Sequence, residues 1–172
     1  MAHPIHRILF TTDLSKSAIT VFEQTVMLAS QLGASITMLH VIADGSSSTQ
    51  NRMVHLVDKE VYERIRKESQ DHVKNILIGK QRSVPVIQNA LQELCENIPS
   101  KIWGKDNEFQ IDGVEVSAGN PAEVITEFSK GVDLVVMGFH KKGSLLRTLM
   151  GATGKSIIKE SEKPIFLVPL KS

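Results

Sequence analysis

The chain has 172 residues, 41% of them apolar and 23% charged, with a formal net charge of +1. This is enough chain for one domain with its own core, and the composition is neither that of a disordered segment nor that of a membrane span. A net charge so close to zero argues against a partner held by bulk electrostatics, so no nucleic acid is expected.

Residues 7–12 (RILFTT) form a short apolar run of β-forming residues, which predicts a buried strand. Asp13-Leu14-Ser15 then turns the chain, with Ser15 the expected helix N-cap. Ile19, Phe22, Val26, Ala29 and Leu32 recur at three- and four-residue steps, the mark of one apolar helix face, and Gly33 stops that helix. Residues 35–42 (SITMLHVI) read as a second buried strand. A strand, helix and strand within so short a stretch imply two parallel strands joined by a crossover helix.

The polar stretch 44–50 (DGSSSTQ) reads as a mobile loop. Met53, Val57, Val61, Ile65, Val73, Ile76 and Leu77 then trace a long amphipathic helix ending near Gly79. Pro85 sits in the first turn of a second helical pattern through Ile87, Leu91, Leu94, Cys95 and Ile98, and Pro99 is expected to close it. A loop around Trp103 leads to a third strand at 113–118 (GVEVSA). In Gly119-Asn120-Pro121-Ala122-Glu123, Asn120 suits the N-cap, Pro121 the first helical position and Glu123 a capping box. Residues 134–137 are the fourth strand, a helix follows to about Ser161, and 164–169 (PIFLVP) is the fifth strand. Pro164 and Pro169 at its ends suit a sheet edge.

The order β-α-β-α-α-β-α-β-α-β, with near-continuous apolar strands, predicts an α/β domain with a parallel sheet covered on both faces. Ligands of such sheets bind beyond the carboxyl ends of the strands, where the winding reverses. Two segments stand out at strand ends: the turn after the first strand, with Asp13, and the basic, glycine-punctuated stretch that follows Gly138; if the first and fourth strands are neighbours, both face one crevice. That stretch carries His140, Lys141, Lys142, Gly143, Arg147, Gly151 and Gly154 and then enters a helix, an arrangement suited to phosphate.

Taken jointly and in order, RILFTTDLS, MLHVI, AGNPAEVI, DLVVMGFH and PIFLVP resemble a universal stress protein domain over nearly the whole chain. The resemblance implies a doubly wound, Rossmann-like five-stranded parallel sheet of order 3-2-1-4-5. It also implies a homodimer built partly through the last strand, 164–169. One domain over 1–172 is expected, with a long helical insertion at about 51–107. ATP-binding members of the family carry Gly, two residues, Gly, nine residues, then Gly-Ser or Gly-Thr. Here Gly138 and Gly151 take the first and third glycine positions, while Lys141 replaces the second glycine and Ala152 the hydroxyl residue. Backbone amides of Gly151, Ala152 and Thr153 can still face phosphate, whereas the lost hydroxyl forfeits one hydrogen bond of about 0.5–3 kcal/mol. Lysine is less suited than glycine to a positive φ, but it brings a phosphate-seeking charge.

By the same resemblance Asp13 meets the ribose or base and Val41 lies against the adenine, with Thr11, Thr12, Met137 and His140 lining the crevice. Asp13 has a second reading, as a turn former before Ser15. Two functions therefore stand side by side. One is a dimeric stress-response and signalling protein that binds an adenine nucleotide, ATP with magnesium, with at most slow hydrolysis. The other is an interaction protein on the same fold, with a degenerate pocket and an unidentified protein partner.

Other motifs carry less. Gly154-Lys155-Ser156 imitates the end of a phosphate loop, but Leu149 stands where its first glycine belongs, so a solvated helix face is expected. The six histidines have no ligand spacing with acids or cysteines, and no metal site is expected. Cys95, the single cysteine, reads as a small buried hydrophobe. No nucleophile, base and orienting group form a set. No apolar run is long enough to span a membrane and MAHPIHR has no signal-peptide core, so a cytoplasmic protein without a membrane partner is expected.

Overall fold

Five strands form one all-parallel sheet: β1 (Arg7–Thr12), β2 (Ser35–Ile42), β3 (Gln110–Ala118), β4 (Leu134–His140) and β5 (Ile165–Leu170). Their spatial order is β3-β2-β1-β4-β5, as expected for a doubly wound fold. The computed structural model describes residues 4–43, 60–61, 63–64, 83–103, 109–140 and 151–170. Helices α1 (Ala18–Leu32), α2 (Ser83–Trp103), α3 (Pro121–Ser129) and α4 (Ala152–Glu160) connect and cover the strands.

Successive strand residues point to opposite faces, so the sheet separates two cores. On one face Ile8, Phe10, Ile36, Met38, Val136 and Val168 pack beneath Val21, Phe22 and Val26 of α1 and Ile87, Leu91 and Leu94 of α2. The Phe10 and Phe22 rings lie tilted with centroids 5.3 Å apart, a contact worth about 0.5–1.5 kcal/mol beyond its buried area. On the other face Leu9, Leu39, Val135 and Met137 meet Ala122 and Ile125 of α3 and Ile157 of α4. Burial of the central strands β1, β2 and β4 on both sides is why they read as apolar runs, whereas the edge strands β3 and β5 are more exposed.

The helix ends follow local chemistry. Gly33 adopts φ 62 and closes α1, its N–H and that of Ala34 both reaching the Ala29 carbonyl. Asn120 caps α3 by accepting from the Ala122 N–H at 3.0 Å, ahead of Pro121 at the first helical position. At the opposite edge of the sheet the Asp133 carboxylate accepts from the backbone N–H of His6 at 3.0 Å and of Arg7 at 2.9 Å, tying the start of β1 to that of β4.

Four expectations need correction. The N-cap of α1 is Ser17 rather than Ser15, because Asp13 captures the Ser15 N–H and the chain spends two more residues turning. Helix α2 runs through Pro99 to Trp103; proline removes one internal donor, and a helix held by its apolar face can absorb that loss. Strand β3 starts at Gln110 because its first residues pair with Ser35 and Ile36, across a register shift at Ile36/Thr37. Strand β4 extends past Met137 to His140 because Gly138, Phe139 and His140 pair with Val168, Pro169 and Leu170. Pairing with β5 lengthens the strand beyond its apolar run.

Within 51–107, Glu60, Val61, Glu63 and Arg64 are helical, Val61 packs on the α1 face, and Arg64 meets Glu93 of α2 at 2.7 Å. With Ile87, Leu91 and Leu94 this part of the segment thickens the layer over one sheet face. The expected loop at 44–50 and most of the helical pattern from 53 to 79 lie outside the described residues. Among the described residues no helix is long and apolar enough to cross a membrane, and no cluster of His, Cys, Asp and Glu can hold a metal ion.

Candidate functional site

The winding reverses between β1 and β4, since β1 continues to β2 and β3 on one side while β4 continues to β5 on the other. Their last paired residues are Thr11 and Met137. Chain leaving the two carboxyl ends diverges there and opens a crevice. Alternation along the strands sorts the expected site residues by face. Thr11, Val41 and Met137 belong to the face covered by α3 and α4, where Met137 is buried and Val41 packs against the same cluster. The Thr11 hydroxyl makes a long contact, 3.4 Å, to the Val136 carbonyl.

Helix α4 lies on this face and runs opposite to the strands it connects, which brings its N-terminus to their carboxyl edge. Gly151, Ala152 and Thr153 form that terminus and all three are exposed. A side chain added at Gly151 would meet nothing within 4 Å. Its φ of −59° is open to any residue, so the fold itself does not require glycine here. The first amides of a helix have no partner within it and carry its positive end, a suitable seat for an anion.

Thr12 and Gly138 lie on the opposite face. The Thr12 hydroxyl accepts from the Leu14 N–H at 3.1 Å and is buried. Asp13 is exposed, and its Oδ1 accepts from the Ser15 N–H at 2.9 Å. The turn-forming reading of Asp13 is therefore realised. A carboxylate has about four acceptor positions, so the turn does not exhaust it. Between these two bonds Leu14 takes φ 61, a rare value for a branched side chain, with its own side chain fully buried. His40 pairs with Thr12 across the sheet, and its Nδ1 lies 2.8 Å from the Thr12 carbonyl. A carbonyl only accepts, so Nδ1 carries the proton.

Gly138 has a packing reason to be glycine. A Cβ there would stand 2.8 Å from Val21 Cγ2 and 2.9 Å from Leu170 Cδ1. His140 ends β4 opposite Leu170, and Lys141 lies outside the described residues. Gly154, Lys155 and Ser156 fall inside α4, with Gly154 buried and Lys155 exposed. Cys95 is buried on α2, and burial, aided by the Glu96 charge, pushes its thiol up to about 12. Sequence reasoning missed the His40 bond to Thr12 and the left-handed Leu14. The only signal for the first was a histidine at a strand end, and for the second there was none.

A doubly wound parallel sheet, with a helix N-terminus at the carboxyl edge of its strands, defines a Rossmann-like α/β protein. The chain belongs to the universal stress protein family, whose sequence model it matches over residues 4–169. It is 25% identical to universal stress protein MJ0577 of Methanocaldococcus jannaschii over 168 residues, 96% of each chain. The solved structure of MJ0577 superposes with a TM-score of 0.57 at 24% identity, covering 99% of both chains. A universal stress protein solved in complex with cAMP is similar in fold, with a TM-score of 0.57 at 12% identity, covering 96% of this chain and 98% of the other. One from Archaeoglobus fulgidus, solved in complex with dAMP, has a TM-score of 0.50 at 14% identity, with coverage of 96% and 98%.

Proposed function

We propose that this chain binds an adenine nucleotide, with ATP and magnesium the first candidate, and signals in a stress response through occupancy of the crevice. The observation that carries this reading is the N-terminus of α4. Gly151, Ala152 and Thr153 are exposed there, with open space where a side chain at Gly151 would stand, on the face that also holds Val41 and Met137. In this reading those amides receive the phosphates, Val41 and Met137 wall the base, and Asp13 accepts from a ribose hydroxyl. Thr11, Thr12, Gly138 and His140 border the crevice, and Lys141 adds charge near the phosphates. The cAMP and dAMP bound by two relatives of the same fold support the choice of an adenine ligand. Hydrolysis, if it accompanies binding, is secondary to occupancy.

The protein acts as a homodimer in the cytoplasm in this reading, joined in part through residues 164–169. Support comes from β5, an edge strand on which Phe166 is 41% exposed.

A second reading keeps the fold and empties the pocket, leaving an interaction protein. Lys141 and Ala152, which replace a glycine and a hydroxyl of the nucleotide motif, favour it. Two measurements decide between them: extraction of small molecules from the purified protein, and calorimetric titration with magnesium ATP to millimolar concentration. Co-purified nucleotide or saturable heat supports the first reading, and absence of both overturns it. The pair Lys141→Gly and Ala152→Ser restores the family motif and is expected to tighten ATP if the pocket is merely weakened.

A further inference from the structure

We propose that His40 is a positioning residue for the nucleotide site, acting through the Thr12 carbonyl to aim Asp13 into the crevice. The inference rests on the nucleotide reading above for its ligand readout, and on geometry for the rest. His40 is 6% exposed and lies on the sheet face away from Val41 and Met137, so it touches no ligand in the crevice. Its Nδ1–H donates to the Thr12 carbonyl at 2.8 Å. That carbonyl belongs to the peptide joining Thr12 to Asp13, and a peptide is planar. Fixing the oxygen therefore fixes the plane in which the Asp13 nitrogen and Cα lie. Asp13 is the first residue after β1 and is not paired with β4, whose register with β1 ends at Thr11.

The remaining bonds of the turn build on that plane. The Thr12 hydroxyl takes the Leu14 N–H at 3.1 Å and the Asp13 carboxylate takes the Ser15 N–H at 2.9 Å. Leu14 is held at φ 61 between them, a conformation that persists only where the surroundings over-determine it. The His40 bond comes from another strand, so it links the end of β2 to the presentation of an acidic side chain at the switch point. The adjacent Val41, on the crevice face, makes β2 a member of the site twice over: once by contact and once by support.

The test uses three variants of the whole protein. His40→Leu removes the donor and keeps an apolar side chain, whereas His40→Asn keeps an N–H at the same number of bonds from Cα. His40→Gln moves the donor one bond further out. Two readouts apply: affinity for ATP and for 2′,3′-dideoxy-ATP by calorimetry, and amide exchange at Leu14 and Ser15 by NMR.

His40→Leu is expected to weaken ATP about tenfold, the effect of losing one well-aimed bond to a charged acceptor, and to leave the dideoxy analogue near its wild-type affinity. Exchange at Leu14 and Ser15 should rise about tenfold or more, while the centre of β1 stays protected. His40→Asn should restore both readouts. Equal weakening of both nucleotides, or unchanged exchange at Leu14 and Ser15, would overturn the proposal. If His40→Leu does not fold, His40→Gln decides in its place by the same two criteria. Wild-type protein that binds neither nucleotide refutes the nucleotide reading, and the exchange data then decide alone whether His40 sets the turn.

Discussion

Gly138→Ala separates a glycine kept for packing from one kept for a ligand. The added Cβ would lie 2.8 Å from Val21 Cγ2 and 2.9 Å from Leu170 Cδ1, against the roughly 3.5–4.0 Å at which carbon atoms rest. Each contact is short by about 0.7 Å, and neither neighbour retreats easily. Val21 is buried in α1, where a β-branched side chain has one preferred rotamer, and Leu170 is buried at the end of β5. Overpacking of this kind costs about 1–3 kcal/mol. For a domain of this length that is a fall of about 3–10 °C in Tm, read together with a urea midpoint at fixed protein concentration. Val21→Ala removes the clashing methyl; alone it should cost about 2 kcal/mol in lost burial and cavity. Combined with Gly138→Ala it should recover about 1 kcal/mol relative to the sum of the two. A Gly138→Ala protein within about 0.5 kcal/mol of wild type would refute the packing account. So would strictly additive losses in the double variant. Unchanged stability with lost ATP affinity would instead assign the glycine to the ligand.

Gly151→Ala is the complementary case: open space surrounds it, so stability should change by no more than about 1 kcal/mol, the cap difference. ATP affinity should fall about tenfold if phosphates approach this terminus, and an unchanged calorimetric Kd would move them elsewhere. Hydrogen bonds from the His6 and then the Arg7 N–H hold the Asp133 carboxyl below its ordinary 3.8, against the opposing effect of its partial burial. Because the folded value is the lower one, its contribution is complete above about pH 4 and is lost as pH falls through the folded value. Asp133→Ala should therefore cost about 1 kcal/mol at pH 7, after allowing for solvent screening, and nothing once wild-type Asp133 is protonated; the gap between parallel urea curves of the two proteins, taken from pH 7 downwards, should narrow as pH falls. The Cys95 thiol, pushed up to about 12 mainly by burial, should react with an alkylating reagent at pH 8 more than about a hundredfold slower than a free thiol. Fast modification of the folded protein would contradict its buried placement.

Much of the candidate site was legible in the chain. Strand ends at Thr12 and Gly138, and a glycine before a helix at Gly151, pointed to a crevice beyond the strand ends, while the 3-2-1-4-5 order that makes the first and fourth strands neighbours came from the family resemblance and is the order observed. The reason for each residue was less legible. Gly138 was assigned to a phosphate motif, yet its neighbours Val21 and Leu170 come from distant parts of the chain and already account for it. Asp13 carried two readings in sequence, and the bond from Ser15 shows that the turn is one of its roles.

The sequence by itself determined the alternation of strands and helices, the two-faced burial of the sheet, and the ends of α1 at Gly33 and of α3 at Asn120-Pro121. These follow from periodicity, caps and turn residues, which act over a few positions. Only the tertiary structure decided that β4 runs on to His140, that α2 passes Pro99, and that His40 holds the Thr12 carbonyl. Each depends on a partner contributed by another element. Parallel pairing joins residues far apart in sequence, and no local pattern records which side chain will stand opposite a given carbonyl.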